Sequence, residues 1–256
     1  MIYPNLRSGV AVQYPLRRRT RHHIVSSRTP GGYVSRIRGG SEPEVGWTLR
    51  YENLTDAEAQ ALEDLFTATG GGLESFTFVD PMANLLAWSE DLSAGAWLKT
   101  GLLVEPFTER GLNCFRLTNA GQGTAWLEQL LPLPGGRICM SCEARWAPGG
   151  WVYVNAGVGD AMNLLGTNWQ LRWATGQAAA GGTSMCGVGV PAGGVVEVRR
   201  LQAEAQAIPS AYKTSYERSG IYSSARFDMN GLKIVADGPD RNRAVVRVRA
   251  RLGSAL

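Results

Sequence analysis

The sequence predicts a mainly β protein: a split β-sandwich that carries one α-helix and has a jelly-roll β-sandwich inserted into it. Three observations predict this. Short apolar segments alternate with turn residues along nearly the whole chain, and 32 glycines and 12 prolines in 256 residues supply the turns. Only one stretch combines a helix-capping signature with helical apolar spacing. The stretch Asn84–Thr100 reads as the opening of a second domain inside a first, because it follows Phe76-Thr-Phe-Val-Asp-Pro81, an apolar strand stopped by a proline. The length suits one large or two medium domains. The expected boundaries are 1–83, 84–216 and 217–256.

The elements follow in order. Arg17-Arg18-Arg19-Thr20-Arg21-His22-His23 is a polar basic patch leading into the strand-like Ile24-Val25, with a turn at Pro30-Gly31-Gly32. Tyr33–Arg38 and Val45–Tyr51 alternate apolar and polar residues around Gly39-Gly40-Ser41, which predicts a hairpin between them. Thr55-Asp-Ala-Glu58 is a capping box, and Asp56 sits at the positive end of the helix dipole. Ala61, Leu62, Leu65 and Phe66 then form the helix's apolar face, and Gly70-Gly71-Gly72 stops it. A strand over 73–79 places Phe76 and Phe78 on one face.

Between 85 and 216 the texture becomes short Trp- and Gly-rich segments, with strands expected at Phe115–Thr118, Ala125–Leu131, Arg137–Trp146, Trp151–Val154, Trp169–Trp173 and Val195–Leu201. Three closing strands, 221–228, 232–236 and 244–252, are separated by Asn230-Gly231 and Asp237-Gly238-Pro239. Asn-Gly is a hairpin signal. In the last strand Val246, Val248, Ala250 and Leu252 share one face, and Arg247, Arg249 and Arg251 share the other.

Composition narrows the function classes. Hydrophobic content of 44% and charged content of 19% are globular values. The N-terminus lacks the pattern of a secretory signal and no apolar run is long enough to span a bilayer, so no membrane insertion is expected and synthesis is expected in a cytoplasm. Four cysteines are too few for a disulfide framework. Cys139 and Cys142 would point to opposite faces of a strand, so buried free thiols are expected, with no metal and no cofactor.

The net charge of +4 is unevenly spread. Residues 1–50 carry nine Arg and two acids, 51–84 seven acids and no Lys or Arg, 85–216 nine of each sign, and 217–256 eight basic and four acidic residues. A basic N-terminal part can therefore pair with the acidic stretch of the same chain or a neighbouring one.

Taken together, Tyr14–His23, the strands around Trp47, Leu54–Phe66 with its glycine stop, Phe76–Pro81, and the closing strands from Arg226 to Leu252 resemble the distal tail protein family of long-tailed bacteriophages and gene transfer agents. That resemblance covers about half the chain and implies a hub domain. Independently, Asn84–Ser93 with Trp97-Leu-Lys-Thr100, closed by Gln202–Thr214, is similar to jelly-roll modules of phage tail-tip proteins, which are related in fold to carbohydrate-binding modules. The stretch 202–206 departs from that pattern by lacking Glu-Xaa-Gly.

The resemblance implies a structural virion protein at the tail tip, assembled in the host cytoplasm as a hexameric ring that joins the tail tube to tip or baseplate proteins. A closed heterologous ring needs two different complementary patches per subunit. Arg17, Arg18, Arg19, Arg21, Arg247, Arg249 and Arg251 on one side, and Asp56, Glu58, Glu63 and Asp64 on the other, are the candidates. The competing reading is a solvated basic face, since exposed ion pairs contribute only about 0–1 kcal/mol each.

Specific nucleic-acid binding is not expected, because the basic run is short and the insert is neutral. Seven of the eight tryptophans lie in the insert. Core packing is the commoner role for such residues, but Trp146, Trp151, Tyr153, Trp169 and Trp173 are candidates for stacking on host surface glycans. No enzyme is expected. The two histidines sit in the basic run with no nucleophile elbow, and the 22 acids identify no carboxylate pair by themselves. A stand-alone carbohydrate-binding adhesin is the alternative, followed by a tail-associated glycan hydrolase.

Overall fold

A computed structural model describes residues 1–7, 11–39, 42–133, 135–146, 149–178 and 182–252. Gly40 and Ser41, from the loop expected between two early strands, lie outside the described residues. In chain order the elements of the first part are β1 (Arg17–Arg21), β2 (Ile24–Arg28), β3 (Val34–Arg38), β4 (Glu44–Leu54), α1 (Asp56–Ala68) and β5 (Phe76–Val79). There follow β6 (Leu98–Thr100), β7 (Leu103–Glu109), β8 (Leu112–Thr118), β9 (Ala125–Leu131), β10 (Gly136–Arg145), β11 (Trp151–Ala156) and β12 (Asp160–Leu164). The rest are β13 (Gln170–Ala178), β14 (Ser184–Val190), β15 (Val195–Glu204), β16 (Ile221–Phe227), β17 (Ile234–Gly238) and β18 (Arg241–Arg251). The protein is mainly β with one helix among the described residues, as expected, and forms two compact units. The first comprises Met1–Pro4, Val12–Phe78 and Tyr222–Leu256, and the second Asn5–Ala11 and Val79–Ile221.

In the first unit a six-stranded sheet runs β1-β4-β18-β16-β5, with β17 also paired to β18. Strict alternation makes β18 two-faced. Ala244, Val246, Val248 and Ala250 are buried, and the arginines between them are exposed. On β4, Val45, Trp47, Leu49 and Tyr51 join the buried side. The core is aromatic. Trp47 and Phe78 lie 4.7 Å apart and Phe76 and Phe227 4.8 Å apart, and the hydroxyls of Tyr3 and Tyr51 hydrogen-bond at 2.7 Å within it. On α1, Ala59, Leu62 and Leu65 are buried. The capping box forms: the Glu58 N–H donates to the Thr55 hydroxyl and the Thr55 N–H donates to the Glu58 carboxylate. Gly70 and Gly71 then adopt φ of 57° and 67°, a left-handed geometry that costs glycine little.

Two pairings differ from expectation. The strand β3 pairs with β2 across the Pro30-Gly31-Gly32 turn, not with β4. Along Glu44–Thr48 both sides of β4 are taken, by β1 and β18, so that half of the strand has no free edge for β3. Asn230-Gly231 closes no hairpin either, because β16 and β17 each pair with β18 and not with each other. Alternation identified the strands correctly but carried no information about their partners.

The second unit stacks a sheet ordered β13-β10-β15-β8-β7 on one ordered β12-β11-β14-β9-β6. Their facing sides share one core, built from Leu127, Met140, Val152, Val154, Val188, Val198 and similar small or aliphatic residues. Asn84 fixes its closure. This buried amide donates to the Leu201 and Lys213 carbonyls and accepts from the Leu86 and Ala203 N–H groups, tying the incoming segment to the outgoing one. The Asp80 N–H donates to the Gly220 carbonyl at 2.8 Å nearby. Of the seven tryptophans in this part of the chain, Trp97 alone is fully buried. The expectation that most would fill the core therefore fails, because paired Leu, Val, Ala and Cys rows already fill the space between the sheets.

Candidate functional site

The outer face of the β12-β11-β14-β9-β6 sheet is where side chains converge with no strand above them. Core residues alternate with outer ones along each strand. Ala125, Leu127 and Leu131 of β9 point inward, which turns Trp126, Glu128 and Leu130 outward. By the same parity Trp151, Tyr153 and Asn155 of β11, and Gly187 and Gly189 of β14, face outward. Register aligns them into rows. Met162, Tyr153, Gly189, Trp126 and Thr100 form one row across five strands, and Asp160, Asn155, Gly187, Glu128 and Leu98 form the next.

The glycines shape this face. A methyl group at Gly189 would lie 2.7 Å from the Trp126 ring, so the indole rests directly over the glycine, half-buried like Tyr153. The Tyr153 ring lies beside it at 5.9 Å between centroids, tilted 46°. In the neighbouring row the Asn155 amide donates to Glu128 at 2.6 Å. Trp151, 39% exposed, and the half-exposed Met162, Leu164 and Leu130 extend the apolar surface. The result is a shallow aromatic floor with a fixed carboxylate–amide pair along one side.

The five aromatic candidates read from the sequence do not form one site. Trp151 and Tyr153 lie on this face. Trp173 lies on the other sheet, alternating outward on β13 beside Ser141, Trp169 immediately precedes that strand, and Trp146 packs partly against the core. The Trp169 indole is occupied: the guanidinium groups of Arg145 and Arg199 stand 4.4 and 4.2 Å from its ring centroid, and its N–H donates to Glu109 at 2.8 Å. It belongs to an ion ladder. Arg116 and Arg145 both bind Glu197, Arg145 also binds Glu109, and Arg199 and Arg200 both bind Glu143.

Farther along that outer face Leu171 and Trp173 are half-exposed, and a second polar cluster is built around Glu204. Glu204, fully buried, binds Lys213 and Ser210. This polar cluster stands where the related pattern would carry Glu-Xaa-Gly. Sequence reading missed Trp126, Glu128, Asn155 and Gly189 as site residues. The available signal was the alternation within Ala125–Leu131, which puts Trp126 and Glu128 on one side of the strand.

All four cysteines are free and buried. Cys142 belongs to the core, while Cys139 faces the opposite side of its strand near Glu204. Burial raises all four thiols, with Cys139, Cys142 and Cys186 pushed up to about 12. Among the described residues no group of three His, Cys, Asp or Glu side chains could hold a metal ion. Among the described residues no helix is long and apolar enough to cross a membrane.

In the first unit the basic candidates come together by register. Arg17 and Arg247 flank Thr48, Arg19 and Arg249 flank Gly46, and Arg21 and Arg251 flank Glu44. The rows line a cavity of about 300 Å³ over β4. Glu44 and Asp228 approach Arg249 at 3.8 and 3.7 Å. No ion pair engages Arg17, Arg19, Arg21, Arg247 or Arg251 among the described residues. Arg18 alternates to the other side of β1 and reaches the Tyr222 hydroxyl at 3.4 Å.

The acidic candidates are divided. Glu63 and Asp64 are exposed on α1, whereas Glu58 is committed to the cap and Asp56 accepts from the Asn242 amide at 2.7 Å.

No protein-family model and no curated protein matches this chain. Solved structures do resemble it. A putative sugar binding protein from Bacteroides thetaiotaomicron aligns at 14% identity over 48% of this chain and 100% of its own, with a TM-score of 0.38. The enzymatically active domain of bacteriophage CBA120 tailspike protein 4 aligns at 12% identity over 50% of this chain and 22% of its own, with a TM-score of 0.35. A carbohydrate binding module of Cellvibrio mixtus lichenase 5A, solved with cellotriose, aligns at 15% identity over 50% of this chain and 99% of its own, with a TM-score of 0.34.

Proposed function

We propose that this protein is a non-catalytic glycan-binding protein whose second unit holds a pyranose ring on the Trp126–Tyr153 floor. The observation that carries this reading is the indole of Trp126 lying over Gly189. A ring pinned flat against a sheet offers a rigid apolar plane to the C–H face of a sugar at little entropic cost. Glu128 and Asn155 then supply acceptors and a donor for hydroxyl groups at the sugar's rim.

The first unit, read with its resemblance to distal tail proteins, would be the ring-forming hub that carries the glycan-binding unit at a phage tail tip. Its rows of arginines support a role in assembly, because Glu44 and Asp228 reach only Arg249 and leave Arg17, Arg19, Arg21, Arg247 and Arg251 without an ion pair among the described residues. Reversing Arg247 and Arg249 to Glu should weaken self-association seen by light scattering; unchanged assembly would favour the solvated-face reading.

The glycan reading is tested on a glycan array, followed by calorimetric titration of the best hit with the wild type and with Trp126→Ala and Tyr153→Ala. Each variant should lose at least tenfold in affinity, about 1.4 kcal/mol. An array without hits, or variants that bind as the wild type does, would end the proposal.

A further inference from the structure

The hairpin formed by β2 and β3 has no buried residue: all ten of its strand positions are exposed. Ile24, Val25, Val34 and Ile37 are 44–62% exposed, and Tyr33 at its tip is 71% exposed. Two strands alone in water are marginal at best, and an apolar group this size without cover calls for a partner. Register gives the hairpin two unlike faces. Val25, Ser27, Ser35 and Ile37 share an uncharged face, and Ile24, Arg28, Val34, Arg36 and Arg38 share a basic one. The segment Arg17–Arg38 carries seven arginines and no acid.

We propose that this hairpin is an assembly arm whose basic face docks on the acidic α1 surface of a second copy of the chain; the proposal rests on reading the first unit as self-associating. Charge complementarity selects this occupant. Residues 51–84 hold seven acids and no Lys or Arg, and Glu63 and Asp64 stand exposed on α1. Arg28, Arg36 and Arg38 make no ion pair among the described residues, so in the isolated chain the two complementary surfaces are both left unmatched. Docking would pair them and cover Ile24 and Val34 together. The strand β1 leads into β2 through only His22 and His23, so an arm held by a second copy also fixes the direction of that sheet edge.

The test measures the mass of the full chain by multi-angle light scattering, with glycan titration on the same samples. The wild type should be an oligomer, and Arg36→Glu/Arg38→Glu should shift to the 27.6 kDa monomer. Adding Glu63→Arg/Asp64→Arg to that variant should restore the oligomer, a rescue that general damage to the fold cannot give. Ile24→Ser/Val34→Ser should also shift toward monomer without lowering the melting temperature, since neither side chain is buried in the isolated chain.

A monomeric wild type, an Arg36→Glu/Arg38→Glu variant that assembles normally, or a fourfold variant that stays monomeric would each overturn the arm. So would a monomeric wild type that binds a fluorescent oligodeoxynucleotide through Arg36 and Arg38, which would assign the basic face to nucleic acid. Sugar binding by a monomeric wild type would leave the glycan reading standing, and an assembled protein that binds no sugar would do the reverse.

Discussion

At the scale of single residues, a missing side chain decides whether the second unit offers a usable surface. Gly189 leaves room for the Trp126 indole to lie down, and a methyl there would meet its ring at 2.7 Å. The indole can rotate away and the core lies on the other side of β14, so Gly189→Ala should leave stability within about 0.5 kcal/mol. Glycan affinity should nevertheless fall about tenfold, as calorimetry would read; an unchanged affinity would mean the flat indole is not the contact surface. Buried thiols give a second prediction. Because burial raises Cys139, Cys142 and Cys186 to about 12, almost no thiolate exists near pH 8. A colorimetric thiol reagent should label none of the four cysteines in the native protein and all four in denaturant. The alternation of Cys139 and Cys142 could be read from the sequence, since three positions along a strand always reverse the face. The importance of Trp126 could not, because nothing in the sequence shows which glycine lies beneath which ring.

At the scale of elements, what could be read followed how local the determinant was. The helix α1 stood out because its cap, apolar face and glycine stop lie within 18 residues, and each works through its neighbours. The strand β14 is not legible in the sequence because Gly187 and Gly189 dilute its apolar signal, although it occupies the centre of its sheet. The partners of β3, β16 and β17 differ from those expected because pairing is set by which backbone edges remain free. The ion ladder across β7, β8, β10 and β15 shows a similar non-local logic, and it makes the second unit sensitive to acid. Burial acts to raise the Glu143 carboxyl, but hydrogen bonds from Arg200 and Arg199 outweigh it and hold the group below its ordinary range. For Glu109 the Trp169 N–H and then Arg145 do the same. A carboxylate depressed in the folded state stabilises above its unfolded value, about 4.3, and that contribution is lost as pH falls through the folded value. The melting temperature should therefore drop between about pH 5 and 3, and less steeply in Glu143→Gln. Equal slopes would show that the ladder does not drive the acid response.

At the scale of the whole molecule, the two units use their aromatic residues in opposite ways. The first buries Tyr3, Trp47, Tyr51, Phe76, Phe78 and Phe227 in its core. The second fills its core with aliphatic and small residues and keeps most of its indoles at or near the surface. Composition averages these patterns away, which is why the sequence suggested an indole-filled insert. The chain leaves the first unit after Phe78 and returns at Tyr222, and the bond from the Asp80 N–H to the Gly220 carbonyl brings those crossings together. Joining residue 80 to residue 220 through two glycines should therefore close the first unit without stretching it. Leu6 belongs with the second unit and would lose its cover, so the shortened chain should also carry Leu6→Ser. This protein should melt cooperatively, self-associate to the same extent as is measured for the full chain, and bind no glycan. If it is unfolded by circular dichroism, the second unit is required for the first to fold; if it still binds the sugar found for the full chain, the recognition surface lies outside the Trp126 face.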